Sequence, residues 1–577
     1  MASLLLASEL VLAHYFISTL FVEIMAKLIK YIVVSAIGLL VFACGGQDSP
    51  TTPEDFRLTD IMIDGVSNEN SFADIDPTAL SVTLTFSAPI DKGTVATNIR
   101  LRDRNNQDVT LLFEFPDNRT VIVQPEANLA PFSNFQLTLL PNLRSEAGTL
   151  IFTGRNFTLV TGLDMSDKFP RIPDEELLDL VQRQHFRFFW EFGHPVSGMA
   201  RERSNWNDNI VATGATGFGV MAMIVAVERG FITRAQALAR VQRIVTFLDE
   251  RAATYHGAFA HWLNGTTGAS VEFSQFDDAA DLVETSLLFQ GLLAARQYFS
   301  ANTPEETRLR DDVTRMWEAI DWTWFQRGGQ NVLYWHWSPR HGWAMNLRIE
   351  GWNESLITYV LAAASPTHAI TKEVYTQGWA RGGAMRNGRS FYGVHLPLGQ
   401  NYGGSLFFAQ YSFVGIDPHE LTDQFANYWE QNRNHSLIHW HHAIANPNGF
   451  VGYGANNWGF TASDGDRGYS DHSPVNDRGV IAPTAALSSM PFTPEQSMAA
   501  LHFFYYTLGD MLWSEFGFYD AFNLTAQWVS NSHIGISQGP IIIMIENYRT
   551  GLMWDIFMQC EDIRNGLRRL GFQSPHL

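Results

Sequence analysis

Three acidic residues lie close together in one largely apolar segment of the chain. Asp277, Asp281 and Glu284 fall within residues 276–290, a stretch that contains no Lys or Arg. On a helix, this spacing directs all three carboxylates to the same side. Neighbouring carboxylates raise the pKa of at least one member, which can then stay protonated near neutral pH and donate to a leaving oxygen. We favour a pocket for these acids over a solvent-exposed acidic face, because the rest of the segment is apolar.

Two further acids stand beside aromatic residues. Glu354 ends the sequence Gly-Trp-Asn-Glu, and Asp520 follows Tyr519 in Phe-Gly-Phe-Tyr-Asp. Tryptophan faces stack on sugar rings while carboxylates bind hydroxyl groups, so Trp352 and Glu354 suit a saccharide subsite. A single Trp is more often a core residue, which is the alternative for Trp352. Glu350 suits a helix-capping role, which leaves Glu354 the better claim to function.

Other site chemistries find little support in the sequence. The histidines lack metal-ligand spacing, and the run that begins at His439 has no acid or cysteine beside it. The turn Asp464-Gly-Asp466 lacks the regular oxygen ligands of a calcium loop. The chain contains neither a P-loop nor a Gly-x-Ser-x-Gly elbow before a helix. We therefore expect no metal and no cofactor, which leaves acid chemistry on a sugar.

Composition indicates a globular, acidic protein with more than one folded unit. The 577 residues are 46% hydrophobic and 17% charged, include 17 Trp, and carry a formal net charge of -20. A chain of this length exceeds one ordinary core, which predicts two domains. The negative charge, without any basic stripe, argues against nucleic acid as a partner.

The first residues resemble an export signal. Met25 precedes two lysines and an apolar run over residues 31–43, and Cys44 follows in a sequence similar to a bacterial lipobox. We predict translation from Met25 and a lipid anchor on Cys44. A plain signal peptide or a transmembrane helix are the alternatives, although the run is shorter than the ~20 residues that a span needs. With Cys44 acylated, Cys560 has no disulfide partner and is expected to be buried.

Hydrophobic periodicity divides the rest of the chain. We predict a signal and lipoprotein segment at 1–46, a tether at 47–55, an all-β sandwich at 56–162 and an all-α domain at 173–577. The sandwich shows alternating apolar residues, and its Phe-Ser-Ala-Pro motif from Phe86 resembles bacterial Ig-like domains. A spacer role is favoured for it over glucan binding.

The helical part is predicted to close into a toroid rather than an open array, because it shows no solenoid repeat. Long loops rich in Gly, Asn and aromatic residues indicate a site between the helices. The predicted helices lie near 173–190, 215–229, 233–252, 277–298, 305–325, 351–364, 370–380, 402–411, 419–441, 476–487, 494–508 and 540–552.

Several motifs, in order, resemble the glucoamylase-like domain of glycoside hydrolase family 144 over about residues 173–572. They are Gly-Ala-Thr-Gly-Phe-Gly from residue 214, Asp-Asp-Ala-Ala-Asp-Leu-Val-Glu from 277, Gly-Trp-Asn-Glu from 351, Tyr-Gly-Gly-Ser-Leu-Phe from 402, Tyr-Gly from 453 and Phe-Gly-Phe-Tyr-Asp-Ala-Phe-Asn from 516. The resemblance implies an (α/α)6 barrel and endo-β-1,2-glucanase activity with inversion. Cyclic β-1,2-glucan synthases carry a similar domain that transfers glycosyl groups.

The resemblance also implies site residues. The essential acids correspond to Asp277, Asp281, Glu284, Glu354 and Asp520. An inverting site needs two carboxyls about 6.5 to 9.5 Å apart, so acids on different segments fit better than acids one turn apart. We expect Glu354 or Asp281 to protonate the leaving group and Asp520 to activate water. Subsites are expected to be lined by Trp352, Tyr402, Tyr453, Trp458 and Tyr519.

Alternative functions remain at this point. Exo-acting release of glucose or sophorose depends on loops that the sequence does not describe, and a transglycosylase would use the same acids. A non-catalytic, surface glucan-binding lipoprotein is the remaining alternative. In each case the expected partner is a glucan and the expected location is the bacterial cell envelope, on its periplasmic face or outer surface.

Overall fold

The computed structural model of the protein describes residues 55–577. The predicted start at Met25, the anchor at Cys44 and nearly all of the tether lie outside the described residues. The chain divides into two compact units. The first holds most residues up to Thr158, and the second holds Leu159–Leu577 together with Ser71–Ala79 and Asn128–Phe135.

Ten strands follow one another between residues 58 and 161. They are β1 (Leu58–Ile63), β2 (Val66–Ser67), β3 (Ser71–Ile75), β4 (Val82–Phe86), β5 (Ile99–Asp103), β6 (Asp108–Val109), β7 (Leu111–Glu114), β8 (Thr120–Pro125), β9 (Asn134–Leu139) and β10 (Arg155–Thr161). Two five-stranded sheets result, in the orders β2-β1-β4-β8-β7 and β3-β10-β9-β5-β6. In β4, Val82, Leu84 and Phe86 are buried while the residues between them are partly exposed, which is the predicted alternation.

Helices dominate the second unit. The α-helices of five or more residues are α1 (Asp174–Trp190), α2 (Thr213–Glu228), α3 (Arg234–Glu250), α4 (Leu282–Tyr298), α5 (Pro304–Glu318), α6 (Leu356–Ala364), α7 (Tyr428–Ala445), α8 (Pro483–Leu487), α9 (Pro494–His502), α10 (Gly535–Thr550), α11 (Leu552–Met558) and α12 (Glu561–Leu570). Across residues 55–577, no helix is both long and apolar enough to cross a membrane.

Short strands form hairpins and small sheets in the loops between these helices. They are β11 (Ile210–Ala212), β12 (Thr254–Tyr255), β13 (Ala258–Phe259), β14 (Trp262–Asn264), β15 (Ser270–Val271), β16 (Ala280–Asp281), β17 (His336–Trp337), β18 (Arg386–Phe391), β19 (Val394–Leu398), β20 (Ala462–Ser463), β21 (Ser470–Asp471), β22 (Trp513–Ser514), β23 (Gly517–Phe518), β24 (Phe522–Asn523) and β25 (Trp528–Val529).

Close packing of α2 on α4 fixes the start of α4. A Cβ added to Gly217 would lie 2.1 Å from the carbonyl oxygen of Leu287, and one added to Gly291 would lie 2.1 Å from the oxygen of Gly217. Only glycine lets the two backbones approach this closely. Nearby, Cys560 is buried as predicted, and Arg296 donates to its Sγ at 3.2 Å.

Several predicted helix boundaries are wrong. The helix expected over 277–298 begins only at Leu282, because Asp281 caps it. The segment expected to be helical over 402–411 forms two short 3-10 turns instead, Leu406–Ala409 and Tyr411–Val414. Helix α10 begins before Pro540 and contains it. Proline interrupts one backbone hydrogen bond here, and the surrounding tertiary packing outweighs that loss.

Candidate functional site

A cavity of about 650 Å³ lies in the second unit, where loops and helix starts meet. Ala212 and Asp281 on its wall directly precede α2 and α4, and Ile534 directly precedes α10. Glu354 lies two residues before α6. Helix N-termini favour negative charge, so four helix starts suit a site rich in carboxylates. Its acids are Glu202, Asp277, Asp281, Glu284 and Glu354.

Asp281 is the N-cap of α4 rather than a residue within it. Its Oδ1 accepts the backbone N–H groups of Val283 at 3.0 Å and Glu284 at 2.9 Å. Asp277 lies in the turn before the helix, and Glu284 in its first turn accepts the N–H of Gly214, at the start of α2, at 2.7 Å. The expectation that three acids share one helix face is therefore wrong. Capping and an adjacent helix start bring them together instead.

Two histidines bridge these acids. His336 Nε2 lies 3.1 Å from Asp277 Oδ2 and 3.4 Å from Asp281 Oδ2. His261 Nδ1 lies 3.1 Å from Asp281 Oδ2, and its Nε2 lies 3.8 Å from Glu284 Oε1. The pairing of β16 with β17, which sets Asp281 opposite His336, positions the first bridge. We name these five residues the α4 cluster.

Within the α4 cluster, the histidines and carboxylates shift one another's pKa values. Burial alone would lower the pKa of both imidazoles, but the facing carboxylates outweigh it and raise the pKa of His261 and of His336 to about 9. Burial would raise the pKa of Asp281, yet hydrogen bonds from the two histidines hold it well below its usual value. Burial raises the pKa of Asp277 and of Glu284. At neutral pH the cluster therefore contains two imidazolium ions beside an ionised Asp281.

Glu354, on the cavity wall, has a raised pKa. Burial raises its pKa to about 7, and the charges of Asp281 and Glu284 add to the effect. Its backbone carbonyl accepts the hydroxyl of Ser412, which holds the segment before α6 in place. Glu354 can therefore carry a proton near neutral pH and release it to a bound ligand.

A second group of ionisable residues surrounds Asp520. Asp520 Oδ2 accepts the backbone N–H of Asp464 at 2.7 Å, and Asp464 Oδ1 accepts from Arg203 at 3.0 Å. Arg203 also pairs with Glu202 at 2.8 Å. Burial raises the pKa of Asp520 to about 7. We name these four residues the Asp520 cluster; Glu202 and Arg203 lie on the cavity wall, and Asp520 is buried behind it.

Four of the five predicted acids thus line one cavity, whereas the five predicted subsite aromatics do not. Trp352 and Trp458 are buried core residues, and Trp458 has no exposed face for a sugar. The remaining three pack elsewhere: Tyr402 contacts Phe391, Tyr453 donates to Asp477 and Tyr519 packs on His533. The geometry gives no support to a subsite role for these five rings.

Other aromatic residues occupy the wall. Phe273 and Tyr469 are 44% and 55% exposed, and Trp262 and Trp335 lie beside them. No role was predicted from the sequence for these residues or for either histidine of the α4 cluster. Trp335 and His336 are consecutive, and successive residues of a strand point to opposite faces. This local pattern was a usable signal for His336. Phe273 and Tyr469 carried none, because their exposure is set by tertiary structure.

His261, Asp277 and Asp281 could in principle offer ligands to a metal, since one donor atom from each lies within 4.8 Å of the others. Metal ions bind the neutral form of imidazole, however, and a pKa of about 9 keeps His261 protonated at neutral pH. Asp281 already accepts four contacts. The donor set therefore fits an ion-pair cluster better than a metal centre.

Comparison with known proteins matches both parts of the chain to families. Residues 346–561 match a family model described as "Putative glucoamylase". Residues 64–158 match the model of a bacterial Ig-like domain. The second match confirms the Ig-like character predicted for the N-terminal strands.

Solved structures share the fold of the second unit. A crystal structure from Bacteroides uniformis, with the same glucoamylase description, is 54% identical over 71% of this chain and 100% of its own, with a TM-score of 0.70. An endo-β-1,2-glucanase from Chitinophaga pinensis, in complex with sophorotriose and glucose, is 47% identical over 70% of this chain and 100% of its own, with a TM-score of 0.69.

A further relative is named for activity on the same type of glucan linkage. It is an exo-β-1,2-glucooligosaccharide sophorohydrolase (non-reducing end) from Parabacteroides distasonis, 44% identical over 418 residues, or 69% of this chain. The chain spans 58% of the length of that relative.

Proposed function

We propose, because the chain belongs to the glucoamylase-like glycoside hydrolase family 144, that it hydrolyses β-1,2-glucan. Two relatives support the linkage, since one is named an endo-β-1,2-glucanase and the other releases sophorose from β-1,2-glucooligosaccharides. The cavity supports the chemistry, since it presents carboxyl groups in different protonation states beside exposed aromatic rings.

Glu354 carries the proposal. It lies on the cavity wall with a pKa raised to about 7, so it can protonate the glycosidic oxygen as the bond to the anomeric carbon breaks. Asp281 was the alternative acid. Its lowered pKa and its four existing contacts leave it neither a proton nor a free oxygen. We therefore assign Asp281 to holding the two histidines and the start of α4.

Asp520 is the proposed base. A water molecule would attack the anomeric carbon from the face opposite Glu354 and pass its proton to Asp520, which inverts the configuration. Burial raises the pKa of Asp520 to about 7, against hydrogen bonds from the Asp464 N–H and from Ser537 that lower it, so Asp520 can take up a proton near neutral pH. Glu354 and Asp520 lie on separate segments, as two carboxyls on opposite sides of a sugar ring require.

Endo-acting hydrolysis is our main proposal for the mode of cleavage. Exo-acting release of sophorose is the second candidate, because the curated relative is named for that activity. Transglycosylation would use the same acids and would be recognised by products longer than the substrate.

We also propose the finer architecture and the location. Helices α2, α4, α6 and α10 are buried almost all round and begin at the cavity, whereas α3 and α5 each expose one face. This alternation supports an (α/α)6 toroid with an inner and an outer ring of helices. The Ig-like domain would act as a spacer behind a lipid anchor at Cys44, on the bacterial cell envelope.

Product analysis tests the proposed function. The full chain is incubated with linear β-1,2-glucan, with β-1,3- and β-1,4-glucans and with an α-glucan, and products are resolved by chromatography over time. We expect short oligosaccharides from β-1,2-glucan alone, spread over several lengths for endo action. Sophorose as the sole early product would select exo action. If every glucan stays intact, the hydrolase proposal is wrong and glucan binding without catalysis is the better account.

A further inference from the structure

A continuous series of aromatic rings leads away from the α4 cluster. The ring of Phe273 stacks on His261 with centroids 3.9 Å apart, and it contacts Trp262 at 4.7 Å. Trp262 in turn contacts Trp206 at 4.9 Å. Trp262 and Phe273 line the cavity, whereas Trp206 lies one ring further out and is 47% exposed.

One small sheet positions all three rings. Strands β11, β14 and β15 pair in that order, and Trp262 lies at the start of the central strand. Phe273 follows β15 by two residues, and Trp206 lies in the loop that leads into β11. The strand pairing of Ala212 with Trp262 and of Trp262 with Val271 fixes the backbone of Trp262, and the segments that carry the other two rings lead into and out of the same sheet.

The Trp206 loop is anchored at its base. Glu202 N–H donates to the carbonyl of Ile210 at 3.1 Å, which closes the loop. Ser204 N–H donates to the carbonyl of His533 at 3.0 Å, and Arg203 pairs with Asp464. The loop therefore presents an exposed indole on a fixed support, so little conformational entropy is lost when a ligand binds.

The surroundings of Trp206 suit a sugar. Exposed tryptophan faces stack on the C–H surfaces of pyranose rings, while amides and carboxylates bind hydroxyl groups. Residues 205–209 read Asn-Trp-Asn-Asp-Asn and are all exposed, so polar residues precede and follow Trp206 along the chain. A polar loop with one exposed Trp, continuous with the cavity, has the composition of a saccharide-binding edge.

We propose that Trp206, Trp262 and Phe273 form a glucosyl-binding platform that carries the substrate chain outward from the acids. Trp206 is its outermost ring and binds glucose units beyond those at the cleaved bond. The proposal rests on the proposed function for the identity of the glucan, and it adds a residue that determines the preference for long chains. Short oligosaccharides, which do not reach Trp206, gain nothing from it.

Substrate-length dependence tests the platform. The full chain and its Trp206→Ala variant are compared on long β-1,2-glucan and on the shortest β-1,2-glucooligosaccharide that the wild type cleaves. Loss of one exposed Trp contact raises KM for the long glucan about tenfold and leaves KM for the short substrate and both kcat values within about twofold. Trp206→Phe keeps an aromatic face and restores most of the affinity.

Trp324 provides a matched control. It is 37% exposed, stacks on His256 and lies off the cavity wall, so Trp324→Ala leaves both KM values unchanged. Equal KM values for wild type and Trp206→Ala on long glucan, or equal losses on long and short substrates, would overturn the platform. If the melting temperature of Trp206→Ala stays within about 2 °C of the wild type, misfolding is excluded as the cause of its higher KM.

A binding assay separates this proposal from the proposed function. Affinity electrophoresis in gels containing β-1,2-glucan compares the Glu354→Gln chain with the Glu354→Gln, Trp206→Ala chain. If the Glu354→Gln chain is retarded and the Glu354→Gln, Trp206→Ala chain is not, the platform is supported, even if the wild type proves not to be a hydrolase. Hydrolysis by the wild type with equal retardation of both variants would reject the platform and leave the proposed function intact. If no chain is retarded by or cleaves β-1,2-glucan, both proposals fail.

Discussion

The α4 cluster and the Asp520 cluster both bury carboxylates, and each is compensated differently. In the α4 cluster, two histidines and two helix starts neutralise the acids. In the Asp520 cluster, one arginine pairs with Glu202 and Asp464, whereas Asp520 accepts the backbone N–H of Asp464 and a hydrogen bond from Ser537 and forms no ion pair of its own among residues 55–577. Asp281, which contacts both histidines, has a lowered pKa, whereas four other acids have a raised pKa, namely Asp277, Glu284, Asp520 and Glu354. The difference separates Asp281, which holds the structure, from Glu354 and Asp520, which can exchange protons near neutral pH.

The largest expected effect is at the centre of the α4 cluster. Asp281→Ala removes the cap of α4 and leaves two buried imidazolium ions without their shared partner. Breaking a buried ion pair in this way costs about 3–5 kcal/mol of unfolding free energy, and we expect activity to fall by more than about 100-fold. Denaturant unfolding and steady-state kinetics measure the two losses.

Asp281→Asn is the control, because Asn also caps helices but carries no charge. We expect it to keep part of the stability and little of the activity. If Asp281→Ala unfolds like the wild type, the histidine bridges are not structural and the comparison between the clusters does not hold.

Stability should also depend on pH through the histidines. The pKa of His261 and of His336 is about 9 in the fold and about 6.5 in the unfolded chain, so protonation stabilises the fold fully below pH 6.5. That contribution is lost as pH rises through 9, by about 3 kcal/mol for each histidine. Melting temperatures measured from pH 6 to 10 should fall over this window.

His336→Gln provides the comparison for this pH series. It removes one titrating ring while keeping a donor towards Asp277, so the fall in melting temperature between pH 6.5 and 9 should become shallower. An identical slope in wild type and variant would show that His336 does not carry the effect.

A smaller effect is expected in the Asp520 cluster. Arg203 lowers the pKa of Asp520 through its charge, so Arg203→Met should raise that pKa. A base is active only when deprotonated, and the acidic limb of kcat/KM should therefore move to higher pH. Arg203→Lys keeps the charge and should leave the limb near its original position. An unshifted limb in Arg203→Met would remove Asp520 from the role of base.

The smallest effect on activity is expected at the aromatic residues that were predicted from the sequence to line subsites. Tyr402 packs on Phe391 and Tyr392 away from the cavity. We expect Tyr402→Phe to keep kcat/KM within about twofold of the wild type, measured on β-1,2-glucan. A large rise in KM would place Tyr402 against the substrate after all and would extend the site beyond the described cavity.

The sequence predicted the identity of the acids better than their geometry. Their residue types and local motifs pointed to Asp281 and Glu354, since charged residues in apolar segments need a pocket. The start of α4 was misplaced because Asp281 has its own capping role, which competes with helical periodicity. His261 was missed because its partners, Asp281 and Glu284, are about twenty residues away in the chain and meet it only through β14 and α4.

The fold class could be predicted from the sequence more readily than the residues that line the cavity. Alternation in β4 and apolar periodicity in the helices are local signals that survive in the sequence. Trp458 was assigned to a subsite through the family resemblance, yet it packs in the core. Phe273 and Tyr469 are exposed at the cavity for reasons of tertiary packing, which no local pattern records.

The most direct test of the account is the pH dependence of kcat/KM on β-1,2-glucan for the wild type and for Glu354→Gln. Glu354 must be protonated and Asp520 ionised, and both pKa values lie at about 7, so we predict a narrow bell centred near neutrality. Glu354→Gln should lose about 100-fold or more of the activity and show no alkaline limb. A variant that keeps more than a tenth of the activity with an unchanged alkaline limb would contradict the assignment of Glu354 as the acid.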